Sequence, residues 1–130
     1  TLEELLGQSD IVSLHCPLTH ETRGLINAER IALMKKTAVL INAARGPVAD
    51  SRALADALNE DRIAGAGVDV FEMEPPVPAD HPLLHAKNCL VTPHVAFASE
   101  ESMKLRADIV FDSLQEWLKG GQVNTVLPRV

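Results

Sequence analysis

Cysteine is scarce in this chain, and its placing excludes several architectures. Only Cys16 and Cys89 occur. They form no C-x-x-C pair and lie near no His/Cys cluster, so neither a disulfide framework nor a metal site is expected. Each reads as a buried free thiol, which fits a reducing, cytoplasmic setting. No apolar run approaches the roughly 18 residues of a membrane span. No charged and apolar leader with a small-residue cleavage site starts the sequence. Residue 1 instead stands at a helix start, which suggests a piece of a longer chain. An excess of positive charge is also missing. The formal net charge is -6, which gives no electrostatic reason to bind nucleic acid. Repeats, low-complexity tracts and an obvious interdomain linker are absent.

What remains is ordinary globular material. The 130 residues are 46% apolar and 23% charged, a mix that argues against disorder. A chain of this length buries roughly two-thirds of its unfolded surface on folding, enough for one core. Thr1 with Glu4 three residues on reads as a capping box, with Leu2, Leu5 and Leu6 as the apolar stripe. A strand is predicted over Ile11 to His15, ended by Cys16-Pro17. Asn27 caps a short helix through Lys35 that turns Ile31 and Met34 inward. Ala38 to Asn42 is the second strand. Asp50 or Ser51 caps the next helix, whose buried face is Leu54, Ala57 and Leu58.

Ile63 to Val70 is the third strand, with Gly65 and Gly67 permitting close approach to its backbone. The prolines at 75, 76, 78 and 82 forbid one regular helix over residues 72 to 87, so a long surface loop is expected. Asn88 to Thr92 is the fourth strand. Ser99 caps a helix to Lys119, with Glu100 and Glu101 favouring its positive end. Met103, Ala107, Val110, Phe111, Leu114, Trp117 and Leu118 recur at helical spacing and are expected in the core. Gly120-Gly121 stops that helix, and a strand-like or irregular tail comes after it. Alternating strands and helices imply parallel pairing through right-handed crossovers. Apolar strands such as Ala38-Val39-Leu40-Ile41 predict a sheet covered on both faces. The fold class is therefore α/β, a partial Rossmann-type parallel sheet flanked by helices. The N-terminal G-x-G-x-x-G unit of such folds is lacking: Gly65-Ala66-Gly67 lies inside a strand and has no third glycine.

Three runs carry the chemistry: Asn42-Ala43-Ala44-Arg45-Gly46, Val68-Asp69-Val70-Phe71-Glu72-Met73-Glu74-Pro75 and Thr92-Pro93-His94. Each comes after a predicted strand. In open parallel sheets ligands bind beyond the carboxyl ends of the strands, so an arginine, a carboxylate and a histidine can meet in one crevice there. A cation to hold an anionic substrate, an imidazole to move a proton and a carboxylate to steer it make an active site. On chemistry alone Glu72 and Glu74 compete for the last role. His15, His20, His81 and His85 show no metal spacing and read as structural or solvated. Thr19 and Thr22 order the turn after the first strand. Asp50, Asp56, Glu60 and Asp61 read as a solvated helix face.

These runs resemble the D-isomer-specific 2-hydroxyacid dehydrogenases. The likeness also includes Leu14-His15-Cys16-Pro17-Leu18-Thr19, Gly24-Leu25-Ile26-Asn27, Gly67-Val68-Asp69-Val70-Phe71, Glu74-Pro75, Pro82-Leu83 and Thr92-Pro93-His94, in that order. It implies that residues 1–130 are the second half of a dinucleotide-binding domain, with the return helix and tail at 99–130. The glycine turn and the ribose acid would lie outside the present sequence. The resemblance implies NAD as cofactor, with NADP left open, and a small 2-oxo or D-2-hydroxy acid as substrate. It implies that Arg45 binds the substrate carboxylate and C2 oxygen, for which a planar, always-charged, bidentate group is suited. His94 would carry the proton. Glu74 would hydrogen-bond His94, and only the Glu74-Pro75 match chooses it over Glu72. Asp69 would contact the nicotinamide carboxamide. Cys16, Pro17, Ala43, Val95, Ala96 and Phe97 would line the cofactor, several through backbone alone, as His94 would from its own strand end. No metal, nucleic acid or membrane is expected, and the full-length protein is expected to be a cytoplasmic homodimer without useful turnover in the isolated segment. The alternative is a nucleotide-sensing, corepressor-like interaction protein of the same superfamily.

Overall fold

The computed structural model describes residues 1–73 and 76–125. Its first helix, α1 (Leu2–Gln8), starts on the expected capping box. Thr1 Oγ1 accepts the Glu4 N–H at 3.2 Å, and Glu4 takes the Thr1 amino group at 2.7 Å. Strand β1 (Ile11–Leu14) is next. Asn27 Oδ1 then accepts the Arg30 N–H at 3.0 Å and caps α2 (Ala28–Ile31). This helix stops short of Lys35. Its next amides switch to three-residue bonds, Leu33 N–H to the Arg30 carbonyl and Met34 N–H to that of Ile31, which tighten and end it. Ile31 and Met34 are nonetheless buried.

Strand β2 (Val39–Asn42) leads through a 3-10 turn at Gly46–Val48 to α3 (Ser51–Asn59). Asp50 caps α3 by accepting the Ala53 N–H at 2.9 Å. Strand β3 (Gly65–Val68) is shorter than expected, although its flanks Ile63 and Val70 are buried. A second 3-10 turn, Pro82–Leu84, interrupts the proline loop before β4 (Cys89–Val91). All four strands are parallel in the order β1-β2-β3-β4. The last helix is α4 (Glu100–Leu118), capped by Ser99. The Gly121 N–H closes it on the Glu116 carbonyl at 2.9 Å, and Gly120 takes φ +82° as a helix-stopping glycine does. The end of the predicted tail, residues 126–130, lies outside the described residues.

The described chain forms two compact units, Thr1–Val95 and Ala96–Val130. The core belongs to the first. Register rows run across the sheet as Val12, Leu40, Ala66, Cys89 and as Leu14, Asn42, Val68, Val91. These rows lie on one face and pack with Leu6 of α1, Ile31 of α2 and Leu54 and Leu58 of α3. The opposite face departs from expectation. Ile11 is 64% exposed and Leu90 71%, so α1, α2 and α3 cover only one side of the sheet. Strands β1 and β2 alternate in burial for that reason. The helix α4 departs further. None of its residues is buried, and Trp117 and Leu118 are 63% and 71% exposed. The expected core role of Met103, Ala107, Val110, Phe111, Leu114, Trp117 and Leu118 is therefore not met in this chain.

Candidate active site

Parallel pairing ends all four strands on one edge, with Leu14, Asn42, Val68 and Val91 in register. The residues after them form the rim. After β2, the buried Asn42 side chain shapes the chain locally: its Nδ2 donates to the Arg45 carbonyl at 3.1 Å, and its Oδ1 accepts the Ala44 N–H at 3.2 Å. Asparagine favours such a side-chain-closed turn. Arg45 emerges from it exposed, with Nη1 donating to the Ala44 carbonyl at 2.6 Å. Sequence reasoning had no role for Asn42. Its signal was an amide-bearing residue ending an apolar run.

After β3, Asp69 is 5% exposed. Its Oδ1 accepts the Thr92 hydroxyl at 2.5 Å and the Val95 N–H at 2.8 Å. These two contacts bracket His94, which takes φ +57°, a region uncommon for any residue but glycine. Asp69 thus ties the end of β3 to the turn after β4. Thr22 Oγ1 donates to the Pro17 carbonyl at 2.7 Å and accepts the Thr19 N–H at 2.7 Å, ordering the turn after β1 as expected.

Among the described residues, clefts lie along this rim. The first, about 560 Å³, is lined by Arg23, Arg45, Asp69, Glu72, Thr92 and His94 together with apolar side chains. The second, about 330 Å³, is lined by His15, Cys16, Pro17, Ala43, Ala44 and Arg45. Arg45 borders both. Arg45, Asp69 and His94 are thereby brought to one cleft, and Cys16, Pro17 and Ala43 to its neighbour. Val95 is the last residue of the first unit. Ala96 and Phe97 start the second unit, where the Arg106 guanidinium lies 5.0 Å from the Phe97 ring centre. Glu74 lies outside the described residues.

Glu72, its rival, is engaged elsewhere. Its Oε2 lies 3.1 Å from Nε2 of the buried His81. Burial pushes the Glu72 carboxyl up, but hydrogen bonding from Ser51, its own backbone and His81 together holds it below the usual range. Of the four histidines read as structural or solvated, His81 is the buried one. Cys16 and Cys89 are free but only half-buried, and burial raises the Cys89 thiol. Among the described residues no group of three His, Cys, Asp or Glu side chains could hold a metal ion. No described helix is long and apolar enough to cross a membrane.

A parallel sheet with its polar rim at the carboxyl edge defines a partial Rossmann-type nucleotide-binding fold. Residues 1–96 match the family model described as D-isomer specific 2-hydroxyacid dehydrogenase, NAD binding domain, and the chain belongs to that family. It is 50% identical over 125 residues to a hydroxypyruvate reductase of Blautia hydrogenotrophica, covering 96% of this chain and 38% of the relative. Among solved structures, an NAD-complexed D-isomer specific 2-hydroxyacid dehydrogenase from Lactobacillus delbrueckii ssp. bulgaricus is 35% identical with a TM-score of 0.85. That match covers 96% of this chain and 42% of the other. A relative from Xanthobacter autotrophicus Py2 in complex with NADPH and MES is 41% identical with a TM-score of 0.77, covering 98% and 51%. The chain spans well under half the length of the curated relatives it matches. NAD(P) is the family's cofactor, and the rim fits it. The cleft bordered by Cys16, Pro17, Ala43 and Ala44 is lined by small side chains and borders Arg45.

Proposed function

We propose that residues 1–130 are the C-terminal half of the dinucleotide-binding domain of a D-2-hydroxyacid dehydrogenase, with the return helix and tail at 99–130. The full-length protein interconverts a small 2-oxo acid and its D-2-hydroxy acid. When bound, NAD(P)H supplies the hydride that reaches C2 of the acid. Arg45 holds the substrate carboxylate and C2 oxygen by paired N–H bonds, which orients C2 and draws charge onto the oxygen. An imidazole nitrogen of His94 gives its proton to that oxygen during reduction and takes it back in reverse. Glu74 accepts the other imidazole N–H and stabilises the charged ring. Asp69 helps seat the nicotinamide end, and its hold on Thr92 and Val95 fixes the backbone on both sides of His94. The observation that supports this reading is the single cleft shared by Arg45, Asp69 and His94. The full-length protein is proposed to be a cytoplasmic homodimer.

The experiment is a panel of 2-oxo acids with NADH and NADPH on the full-length protein, with the product enantiomer resolved by chiral chromatography. Acid-dependent cofactor oxidation yielding the D-product is expected. Absence of oxidation across the panel would sink the reading. Arg45→Lys is expected to lower kcat/KM at least about a hundredfold, because an ammonium cannot reproduce the fork. The 130-residue segment alone is expected to show no useful turnover, since in this reading the substrate domain that closes to exclude water is not part of it. Robust activity from the purified segment would contradict that.

A further inference from the structure

We propose that Glu72 and His81 form a latch that sets the position of Arg45, and that both are positioning residues for the anionic substrate. The proposal rests on the reading of Arg45 as the substrate anchor. Its geometry begins at a histidine with a defined proton. His81 Nδ1 accepts the Leu83 N–H at 3.4 Å, so Nε2 carries the hydrogen that reaches Glu72 Oε2 at 3.1 Å. The His81 side chain is only 6% exposed. The Phe71 ring meets the imidazole edge-on, 5.1 Å between centres and 89° between planes. One carboxylate therefore ties the loop after β3 to the Pro82–Leu84 turn.

The connection to Arg45 runs through Gly46. A Cβ built on Gly46 would lie 2.0 Å from the Phe71 carbonyl carbon and oxygen and 2.5 Å from the Glu72 nitrogen. The Phe71–Glu72 peptide thus rests directly on Gly46, with no room for a methyl group. Arg45 immediately precedes it, in extended conformation and without a side-chain cap of its own. Asn42 holds the turn from one side. The latched peptide holds it from the other. A buried ionisable pair costs desolvation that an apolar pair of like volume avoids. A directional contact is favoured here because a guanidinium fork must be held to a fraction of an ångström to orient its substrate.

The test uses the full-length protein saturated with NADH and titrated with oxamate, an unreactive analogue of a 2-oxo acid. His81→Leu is expected to weaken oxamate about tenfold while NADH affinity stays within about twofold. His81→Gln, whose terminal N–H still reaches toward Glu72, is expected to recover oxamate binding to within about threefold of wild type. Glu72→Ala removes the carboxylate that holds His81, is expected to weaken oxamate in the same sense, and serves if His81→Leu fails to fold. Equal losses of oxamate and NADH affinity overturn the latch, as does a folded His81→Leu that binds oxamate normally. Arg45→Lys separates the two ideas. If it binds oxamate like wild type, Arg45 is not the anchor and the latch falls with that reading. If it loses oxamate while His81→Leu keeps it, the latch alone falls.

Discussion

Helices α3 and α4 both start on a side-chain cap and both carry apolar side chains at helical spacing, yet α3 buries Leu54, Ala55, Ala57 and Leu58 while α4 buries none. The difference lies in where the chain goes from the end of each helix. It leaves α3 to enter β3, which pairs in parallel with β2. A crossover between adjacent parallel strands must lay its helix across the sheet, so the apolar stripe of α3 is covered by construction. Among the described residues no strand comes after α4. Its stripe states a need for cover without saying which surface meets it. The two faces of the sheet repeat the lesson, since Leu40 is fully buried and its neighbour Ile41 is 36% exposed.

The largest effect expected from this contrast is in the core. Leu58→Ala should lower the unfolding free energy of the chain by about 2–5 kcal/mol, whereas Trp117→Ala should change it by less than about 0.5 kcal/mol in denaturant titrations. A Trp117→Ala loss comparable to that of Leu58, with a midpoint that moves with protein concentration, would break the comparison, because a second copy would then be covering α4. The caps should show a smaller effect. Asp50→Ala is expected to cost about 1 kcal/mol of global stability. Ser99→Ala should reduce the helical signal of α4 with little change in the global midpoint, because that helix can open locally. Equal shifts of the midpoint would mean that α4 unfolds with the core.

The smallest effect concerns acid. The carboxyl of Glu72 lies below its ordinary value of 4.5, with burial opposing and hydrogen bonds from Ser51, its backbone and His81 prevailing. A lowered folded value means the contribution is present above about pH 4.5 and is lost as pH falls through the folded value. Glu72→Gln should therefore flatten the stability curve below pH 4.5 while leaving its shape above that pH unchanged. Glu101, at the start of α4, is also lowered, by its backbone N–H and by Ser99, but it is fully exposed. Glu101→Gln should leave acid unfolding unaltered. A flattening as large as that of Glu72→Gln would erase the distinction between the two helix starts.

Much of the fold was legible because its signals are local. Thr1 with Glu4, Asn27, Asp50 and Ser99 each satisfy orphan amides within three residues of themselves. Parallel pairing came from the alternation of strands and helices, whereas the strand order came only with the structure. The ends of α2 and β3 were less legible, since they depend on where neighbouring backbone supplies partners. At the rim, residue types pointed to an arginine, a carboxylate and a histidine after three strands, and the family resemblance then assigned the roles of Arg45, Asp69, Glu74 and His94. The supporting contacts gave no such sign. Asp69 reaches Val95 across 26 positions, and Glu72 finds His81 nine positions on through a proline loop. Neither distance has a period that a linear pattern can reveal.

By itself the amino-acid order determined the helices' first turns, the parallel alternation and the chemical identity of the rim, all of which depend on near neighbours and residue type. Tertiary structure alone decided that Glu72 would commit its carboxylate to His81, that Gly46 would be pressed against a distant peptide, and that α4 would keep its apolar stripe in solvent. Those outcomes turn on which surfaces meet in three dimensions. Burial belongs to a pair of surfaces, and a sequence describes only one of them at a time.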